Sequence, residues 1–149
     1  MIRSFLSVAL LFLVCPVLAQ VVGPDIQQAL NAGDTAKAER LLTDQIGLDK
    51  SYHYNYYLLG MIYYRQERYD KALGQFKLAI DRKGGHLESL YQLGLTHLKL
   101  GQFDEAKKSF DAGLKKAPKD GKHVSHNGLG LVAMALKDYN TATTRFQKA

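Results

Sequence analysis

The sequence predicts an all-α fold, an α-solenoid of stacked helical hairpins, and three observations support this prediction. The chain has 149 residues, of which 46% are hydrophobic and 23% charged, and it carries a formal net charge of +6. These values are typical of one globular domain and exclude a disordered chain, a fibrous repeat and a disulfide scaffold. Leu-Gly pairs recur at a nearly constant spacing, and Ala and Phe follow each pair at a similar distance. A fixed period of this kind is typical of repeat architectures.

The first nineteen residues, MIRSFLSVALLFLVCPVLA, have the three-part layout of a secretory signal peptide. Arg3 supplies a positive end, residues 5–14 form an apolar run, and Val17 and Ala19 precede a cut before Gln20. The run is too short to cross about 30 Å of hydrocarbon, which disfavours a retained membrane anchor. We therefore expect a chain exported to the periplasm or secreted, whose remaining domain, 20–149, has no integral membrane span.

The single cysteine lies within this leader. Lipoprotein cleavage sites have Gly, Ala or Ser before the cysteine, and Val14 stands before Cys15 here, which disfavours a lipid-anchored form. Without residues 1–19 the chain has no cysteine and a charge of 19 − 14 = +5, because Arg3 is the only charge removed. A domain without cysteine suits an oxidising compartment, since it cannot form unwanted disulfides.

The rest of the chain predicts eight helices, separated by turns rich in Gly, Asp, Lys and Pro. Pro24 opens the first, where its missing N–H has no cost. The predicted bounds are 24–32, 34–46, 53–66, 69–82, 87–100, 103–116, 122–136 and 139–148.

These helices form a repeated unit. Leu59-Gly60 and Leu93-Gly94 lie 34 positions apart, and the third pair, Leu129-Gly130, follows after 36. The two extra residues fall in the polar segment 119–122, where a loop can absorb them. Upstream, the segment 33–38 matches the turn and the small residue of the next unit, again at 34, but it has no Leu-Gly pair. We predict one divergent repeat at about 24–50 and three further repeats at about 53–86, 87–122 and 123–149.

The unit resembles the tetratricopeptide repeat, a 34-residue helix-turn-helix whose stacked copies form a right-handed superhelix. The residues that carry the resemblance are Leu59, Gly60, Ala72 and Phe76 in repeat two; Leu93, Gly94, Ala106, Phe110 and Pro118 in repeat three; and Leu129, Gly130, Ala142 and Phe146 in repeat four. Glycine inside a helix costs roughly 1 kcal/mol, so three matched glycines require a packing reason. We expect Gly and Ala to let two helices approach and Phe to fill the wedge between them.

The resemblance implies a concave face, lined by the first helix of each repeat. The residues expected on this face are Tyr54, Tyr57, Leu58, Met61, Tyr64 and Arg65 in repeat two; Glu88, Tyr91, Gln92, Leu95, Leu98 and Lys99 in repeat three; and Val124, Asn127, Gly128, Leu131, Met134 and Ala135 in repeat four. Tyr and Met on this face suit adaptable contact with a peptide, and two cations lie at its end. Tyr56 and Tyr63, by contrast, are expected to pack the junction with repeat one.

Other functional signals are weak. Members of the family that dock chaperones hold a terminal carboxylate with Lys, Asn and Arg, whereas the corresponding positions here are Tyr57, Met61, Gln92, Val124 and Gly128. His123 and His126 lack a third metal ligand. No Ser-His-Asp set or nucleotide-binding loop is readable, and the positive charge is scattered through turns. We therefore expect no catalysis, no cofactor, no metal and no nucleic acid partner.

These observations predict a non-enzymatic, exported scaffold or adaptor whose concave groove binds a protein or peptide segment, in the assembly of a cell-envelope complex. Two alternatives stay open: the N-terminal interaction module of a longer enzyme or sensor, and a structural protein that oligomerises end to end. The sequence stops at Ala149, within the second helix of repeat four. Solenoids usually close with a polar terminal unit, so we expect either a longer protein or a partner at this end.

Overall fold

The computed structural model describes residues 23–149, so the leader predicted at 1–19 lies outside the described residues. The described chain forms eight α-helices and one short 3-10 helix at Lys119–Gly121. The α-helices are α1 (Pro24–Asn31), α2 (Thr35–Leu48), α3 (His53–Arg65), α4 (Tyr69–Arg82), α5 (Leu87–Lys99), α6 (Phe103–Lys116), α7 (Lys122–Ala135) and α8 (Tyr139–Gln147). Every predicted helix is present, and its bounds differ from the prediction by at most two residues.

The helices stack in chain order. Each helix packs on the next, so that α1–α2, α3–α4, α5–α6 and α7–α8 form four hairpins. From the second hairpin on, the first helix of one hairpin also touches the first helix of the next, α3 with α5 and α5 with α7. These three first helices therefore lie side by side along one face, and the stacking of all four hairpins confirms the predicted all-α solenoid.

One turn geometry joins the two helices of every hairpin. Its central residue has a left-handed backbone, with φ of 71° at Gly33, 59° at Glu67, 71° at Gly101 and 60° at Lys137. The following N–H reaches back across the end of the first helix, as Arg68 does to the carbonyl of Tyr63 at 2.9 Å. This pattern satisfies carbonyls that the helix end would leave unpaired, and glycine adopts it without steric cost.

The matched glycines lie directly against the matched phenylalanines. A Cβ added to Gly60 would come within 2.6 Å of Phe76, and one added to Gly94 within 2.5 Å of Phe110. Phe76 and Phe110 are fully buried, and so are Ala72 and Ala106, each one turn earlier on the same helix. The small residues therefore admit the rings between the two helices of a hairpin, as the sequence predicts.

The neighbouring repeat contributes a second glycine to one of these seams. A Cβ on Gly128 of α7 would collide with the Phe110 ring, so this ring lies between Gly94 of its own hairpin and Gly128 of the next. The resemblance placed Gly128 on the concave face, but the structure buries it. Gly128 is buried because it lies on the side of α7 that packs against Phe110 of the preceding hairpin.

The last hairpin differs from the others. Phe146 lies against Gly130, where an added Cβ would be 2.5 Å from the ring, yet 39% of Phe146 is exposed. The wedge expected at Phe146 is therefore only half closed, because no further hairpin lies over its outer side among the described residues.

Candidate functional site

The face formed by the first helices carries two cavities. The first, of about 160 Å³, lies between α1 and α3, and the second, of about 230 Å³, lies between α5 and α7. The first is lined by Leu30, Gly33, Thr35, Tyr54, Tyr57, Leu58, Met61, Ile62 and Arg65. The second is lined by Tyr57, Leu87, Glu88, Tyr91, Gln92, Ala117, Gly121, Val124 and Ser125. We call this surface the concave face.

Tyr57 belongs to both cavities and forms the wall between them. Its ring is 5.4 Å from that of Tyr54 and 6.2 Å from that of Phe76, so the core below holds it in place. Burial raises the pKa of Tyr57 to about 12, with smaller contributions from Tyr54 and Glu88. The hydroxyl therefore stays protonated and can donate a hydrogen bond at any physiological pH.

The first cavity is apolar with one charge at its rim. Leu58 and Met61 pack partly on the core beneath, and Tyr54 is half-buried, which raises its pKa. Arg65, the last residue of α3, supplies the positive charge. A methionine and two tyrosines give this wall both adaptability and large apolar area, as peptide-binding surfaces require.

A hydrogen bond between two first helices lies beside the second cavity. Asn127 Nδ2 donates to the Tyr91 hydroxyl at 3.3 Å, which links α7 to α5 across 36 positions of sequence. The Tyr91 ring lies 5.6 Å from that of Phe110, so the core holds this tyrosine as it does Tyr57. Glu88 lies at the rim, with 64% of its side chain exposed. The two cavities thus have rims of opposite charge.

A histidine that the sequence did not single out lies beside Tyr57. His86, which precedes α5, is only 6% exposed, and its ring is 4.7 Å from His53 and 5.4 Å from Tyr57. Its Nδ1 is 2.6 Å from Ser89 Oγ and its Nε2 is 3.2 Å from a carboxylate oxygen of Glu88. Burial lowers the pKa of His86, Glu88 opposes that shift, and His53 and Lys83 reinforce it. His86 positions the junction between repeats two and three.

The remaining predicted site residues lie outside the two cavities. Leu95 and Leu98 pack against the core beneath α5, and Tyr64 packs edge to face on Tyr69 at 5.5 Å. Lys99 is exposed at the end of α5. Leu131 and Met134 are 37% and 46% exposed on α7. The structure therefore brings together Tyr54, Tyr57, Met61 and Arg65 at one cavity. Tyr57 and Tyr91 line the other, and Asn127 is bonded to the Tyr91 hydroxyl.

The two tyrosines assigned to the junction with repeat one lie there. The Tyr63 hydroxyl donates to Glu39 Oε1 at 3.0 Å, and the guanidinium of Arg68 lies 4.6 Å from the centre of the ring. The Tyr56 hydroxyl donates to the carbonyl of Lys50 at 3.2 Å. The Tyr63 contact crosses from the second hairpin to the first, and the Tyr56 contact reaches the segment that joins them, which confirms the packing role predicted for these side chains.

The cavities also include residues that the sequence analysis missed. Leu30 lies 34 positions before Tyr64, so the repeat offset itself could have placed it on the concave face. Leu87, Ala117 and Gly121 lie at helix ends or in the loop before α7. The expected concave face included only fixed positions within the first helix of each repeat, so these three residues were not among them. A separate cavity of about 410 Å³ beside the end of α2 is lined by Gln45, Leu48, Asp49, Tyr52 and Asn55.

The described residues contain few features of other site types. No group of three His, Cys, Asp or Glu side chains in this part of the chain could hold a metal ion. His123 Nδ1 lies 2.8 Å from the carbonyl oxygen of Asp120, and His126 Nδ1 is buried without a hydrogen-bond partner. None of the helices from α1 to α8 is long and apolar enough to cross a bilayer.

Comparison with protein families identifies two models that match the chain. The model described as "Anaphase-promoting complex, cyclosome, subunit 3" matches residues 31–113, more than half of the sequence. The model described as "Tetratricopeptide repeat" matches residues 91–149. Together they cover all hairpins except the first helix.

Individual relatives give the same picture. "Anaphase-promoting complex subunit 3" of Schizosaccharomyces pombe is 28% identical over 114 residues, which cover 76% of this chain and 17% of the relative. The chain thus spans less than a fifth of the length of that relative. Among solved structures, MamA (residue 41 to the end) from Desulfovibrio magneticus RS-1 matches with a TM-score of 0.75 and 22% identity, over 87% of this chain and 72% of that one. A chain of an APC/C hetero-tetramer matches with a TM-score of 0.71 and 22% identity, over 80% and 22%.

Proposed function

Because the chain belongs to the tetratricopeptide repeat family, whose stacked hairpins serve as scaffolds for protein interaction, we propose that it is a non-enzymatic adaptor that binds a protein segment on the concave face. The observation that carries this proposal is the pair of cavities that share Tyr57. Tyrosines on a core-supported wall supply contact area at a low cost in conformational entropy, and Met61 adds an adaptable apolar surface.

The proposal includes export and a role in the assembly of a cell-envelope complex. Its support is the layout of residues 1–19, a charged end, an apolar run and small residues before Gln20. The test is the intact mass of the protein recovered from its own cells. A mass that begins at Gln20, in an envelope or secreted fraction, is the expected result. A cell-associated protein that retains residues 1–19 would overturn the export proposal.

The binding role is tested by partner recovery. Tyr57→Ala combined with Tyr91→Ala removes the wall between the cavities and the side chain that joins α5 to α7. The matched control is Tyr139→Ala, which removes a tyrosine that is 59% exposed on α8. We expect quantitative mass spectrometry of affinity-purified material to show a partner with wild type and with Tyr139→Ala, but not with the double variant. Circular dichroism must show helical content for all three. Equal recovery by all three proteins would remove the concave face as the binding site.

A second candidate function, end-to-end self-association, has its own observation. Phe146 and Met134 are 39% and 46% exposed in the last hairpin, and Leu136 and Tyr139 beside them are 56% and 59% exposed. We expect sedimentation velocity to show a mass that rises with concentration, and Phe146→Lys to abolish the rise. A monomer at all concentrations would exclude this candidate and leave the concave-face adaptor unaffected.

A further inference from the structure

The last hairpin repeats the apolar side chains with which the preceding hairpin holds a helix. The third hairpin packs three such side chains with α7: Leu95, Leu98 and Phe110. Their equivalents 36 positions later are Leu131, Met134 and Phe146. These three are 37%, 46% and 39% exposed, since no helix lies over them among the described residues. The last hairpin therefore presents the surface on which a helix like α7 can lie.

The interior seam shows what such a helix must carry. Gly128 of α7 lies over Phe110, and a Cβ there would be 2.3 Å from the ring. Leu129 and Val132 of α7 belong to the same buried cluster as Phe110. A helix that covers Phe146 in the same way therefore needs a glycine over the ring and apolar residues one and four positions after this glycine.

Charge distinguishes the last hairpin from the third. Arg145 occupies the position of Ser109, which is buried in the third hairpin. Burial lowers the pKa of His126, and three cations lower it further: Arg145, Lys148 and Lys122. These cations are therefore clustered where α8 ends and α7 begins. An acidic group on the covering helix would complement them.

The interior seam also indicates where this acidic group lies. Gly113, near the end of α6, meets Ser125, near the beginning of α7. A helix in the equivalent place on the last hairpin begins beside the end of α8, where Arg145 and Lys148 lie. Its first turn is therefore the place for acidic residues, which are also favourable there because of the helix dipole.

A second copy of this chain is a poorer match for this surface. Three helices bury the side chains at the positions of Leu129 and Val132 in α7, and the equivalents in the other two helices are Leu59 and Ile62 in α3 and Leu93 and Thr96 in α5. In α1 the same positions hold Asp25 and Gln28, and both are exposed. Head-to-tail packing would place these polar side chains on Leu131 and Met134. Two last hairpins that face each other would bring their cations together.

We call the surface formed by Leu131, Met134, Arg145, Phe146 and Lys148 the distal surface. We propose that it binds an amphipathic α-helix of another protein, which has a glycine over Phe146, two apolar side chains on Leu131 and Met134, and an acidic first turn. This site is separate from the concave face and does not depend on binding there. The second candidate function, self-association, names a different occupant for the same surface.

The test uses fluorescence anisotropy with the full chain and a fluorescein-labelled peptide, Glu-Glu-Val-Ser-Ala-Glu-Gly-Leu-Ala-Lys-Val-Ala-Lys-Ala. A lactam between its third Glu and its first Lys, four positions apart, holds it helical. We expect this peptide to bind. Replacing its Gly by Leu should weaken binding about tenfold or more, because the added side chain would overlap the Phe146 ring. Replacing its first two Glu by Lys should weaken binding about three- to tenfold, the effect of reversing exposed ion pairs.

Variants of the protein locate the bound peptide. Met134→Lys places a charge under the apolar side chains and should weaken binding about tenfold, while circular dichroism should show an unchanged fold because Met134 is already exposed. Arg145→Glu should invert the preference between the acidic peptide and its Lys-Lys counterpart. The matched control is Lys107→Glu, which reverses an exposed charge of α6 and should change neither result.

Three results with the peptide would overturn the proposal: no binding, equal binding after Gly is replaced by Leu, or an unchanged preference in Arg145→Glu. Sedimentation velocity supplies a fourth. A mass that rises with concentration, depends on Phe146 and is unaffected by the peptide would assign the distal surface to a second copy. None of these results concerns the concave face, whose own test depends on Tyr57 and Tyr91, so the two proposals can fail separately.

Discussion

Phe110 and Phe146 occupy equivalent positions in successive hairpins, yet 1% of Phe110 is exposed and 39% of Phe146. Each ring lies against a glycine of its own hairpin, Gly94 and Gly130 respectively. Only Phe110 also meets a glycine of the next hairpin, Gly128. The comparison teaches that a repeat supplies half of each seam and that its neighbour supplies the other half, so equal sequence positions need not have equal energetic weight.

The largest expected difference concerns the rings themselves. Phe110→Ala should lower the free energy of unfolding by about 3–5 kcal/mol, the cost of a fully buried phenylalanine, whereas Phe146→Ala should cost about 1–2 kcal/mol because solvent already reaches this ring. Urea denaturation followed by circular dichroism measures both values. Similar losses for the two variants would contradict the half-closed seam at Phe146.

The glycines should show the same contrast with smaller effects. Gly94→Ala places a Cβ 2.5 Å from a ring that is enclosed on both sides, and we expect a loss of about 1–3 kcal/mol. Gly130→Ala creates the same contact with Phe146, but that ring can turn toward solvent. Because Ala also favours the helix by roughly 1 kcal/mol, the net change there should be close to zero. A larger loss for Gly130→Ala than for Gly94→Ala in the same denaturation experiment would reverse the comparison.

Histidines offer a pH-dependent version of this contrast. Burial lowers the pKa of His86 at an interior junction, and also that of His126 in the last hairpin. A histidine whose pKa is lower in the folded state binds fewer protons there than in the unfolded chain. The free energy of unfolding therefore has its highest value above pH 6.5, the ordinary pKa of histidine, and decreases as the pH falls below 6.5.

We expect the melting temperature to decrease as the pH is lowered from 7 to 5. His86→Gln should reduce this decrease more than His126→Gln does, because the His86 ring is the more enclosed of the two. Groups that face His86 are Glu88, which opposes the effect, and His53 and Lys83, which add to it. A midpoint that rises on acidification would show that the pairing with Glu88 outweighs burial.

The smallest effects are expected at the turns. Glu67 and Lys137 have φ of 59° and 60°, a conformation that costs a residue with a Cβ about 1–2 kcal/mol relative to glycine. Glu67→Gly and Lys137→Gly should each stabilise the protein by about 0.5–1 kcal/mol after the added flexibility of the unfolded chain is counted. The two gains should be equal, since this turn is local to its hairpin. Unequal gains in calorimetry would mean that the interior and terminal hairpins also differ in their own geometry.

The helices and seams could be predicted because both are encoded at short range. Leu-Gly and Ala-Phe spacing determines which residues of a hairpin meet, so Gly60 and Phe76 were paired correctly from sequence. The exposure of Phe146 depends on what lies beyond its own hairpin, which residue spacing within one repeat does not describe.

The candidate site was predictable in part for a similar reason. The positions that the resemblance implies placed Tyr57 and Tyr91 on the concave face, but they also selected Leu95, which lines neither cavity. His86 was missed because it precedes α5, and its ring partners His53 and Tyr57 belong to the preceding hairpin. Contacts between hairpins require the stacking geometry, which a repeat pattern alone does not give.

The most direct test of the central claim is site-specific photo-crosslinking in the cells that make the protein. Benzoylphenylalanine at position 124, where Val124 lines the second cavity, should form an adduct with a protein partner. The same probe at position 107, where Lys107 is exposed on α6, should not. An adduct from position 107 alone would contradict the claim that the concave face holds the bound polypeptide.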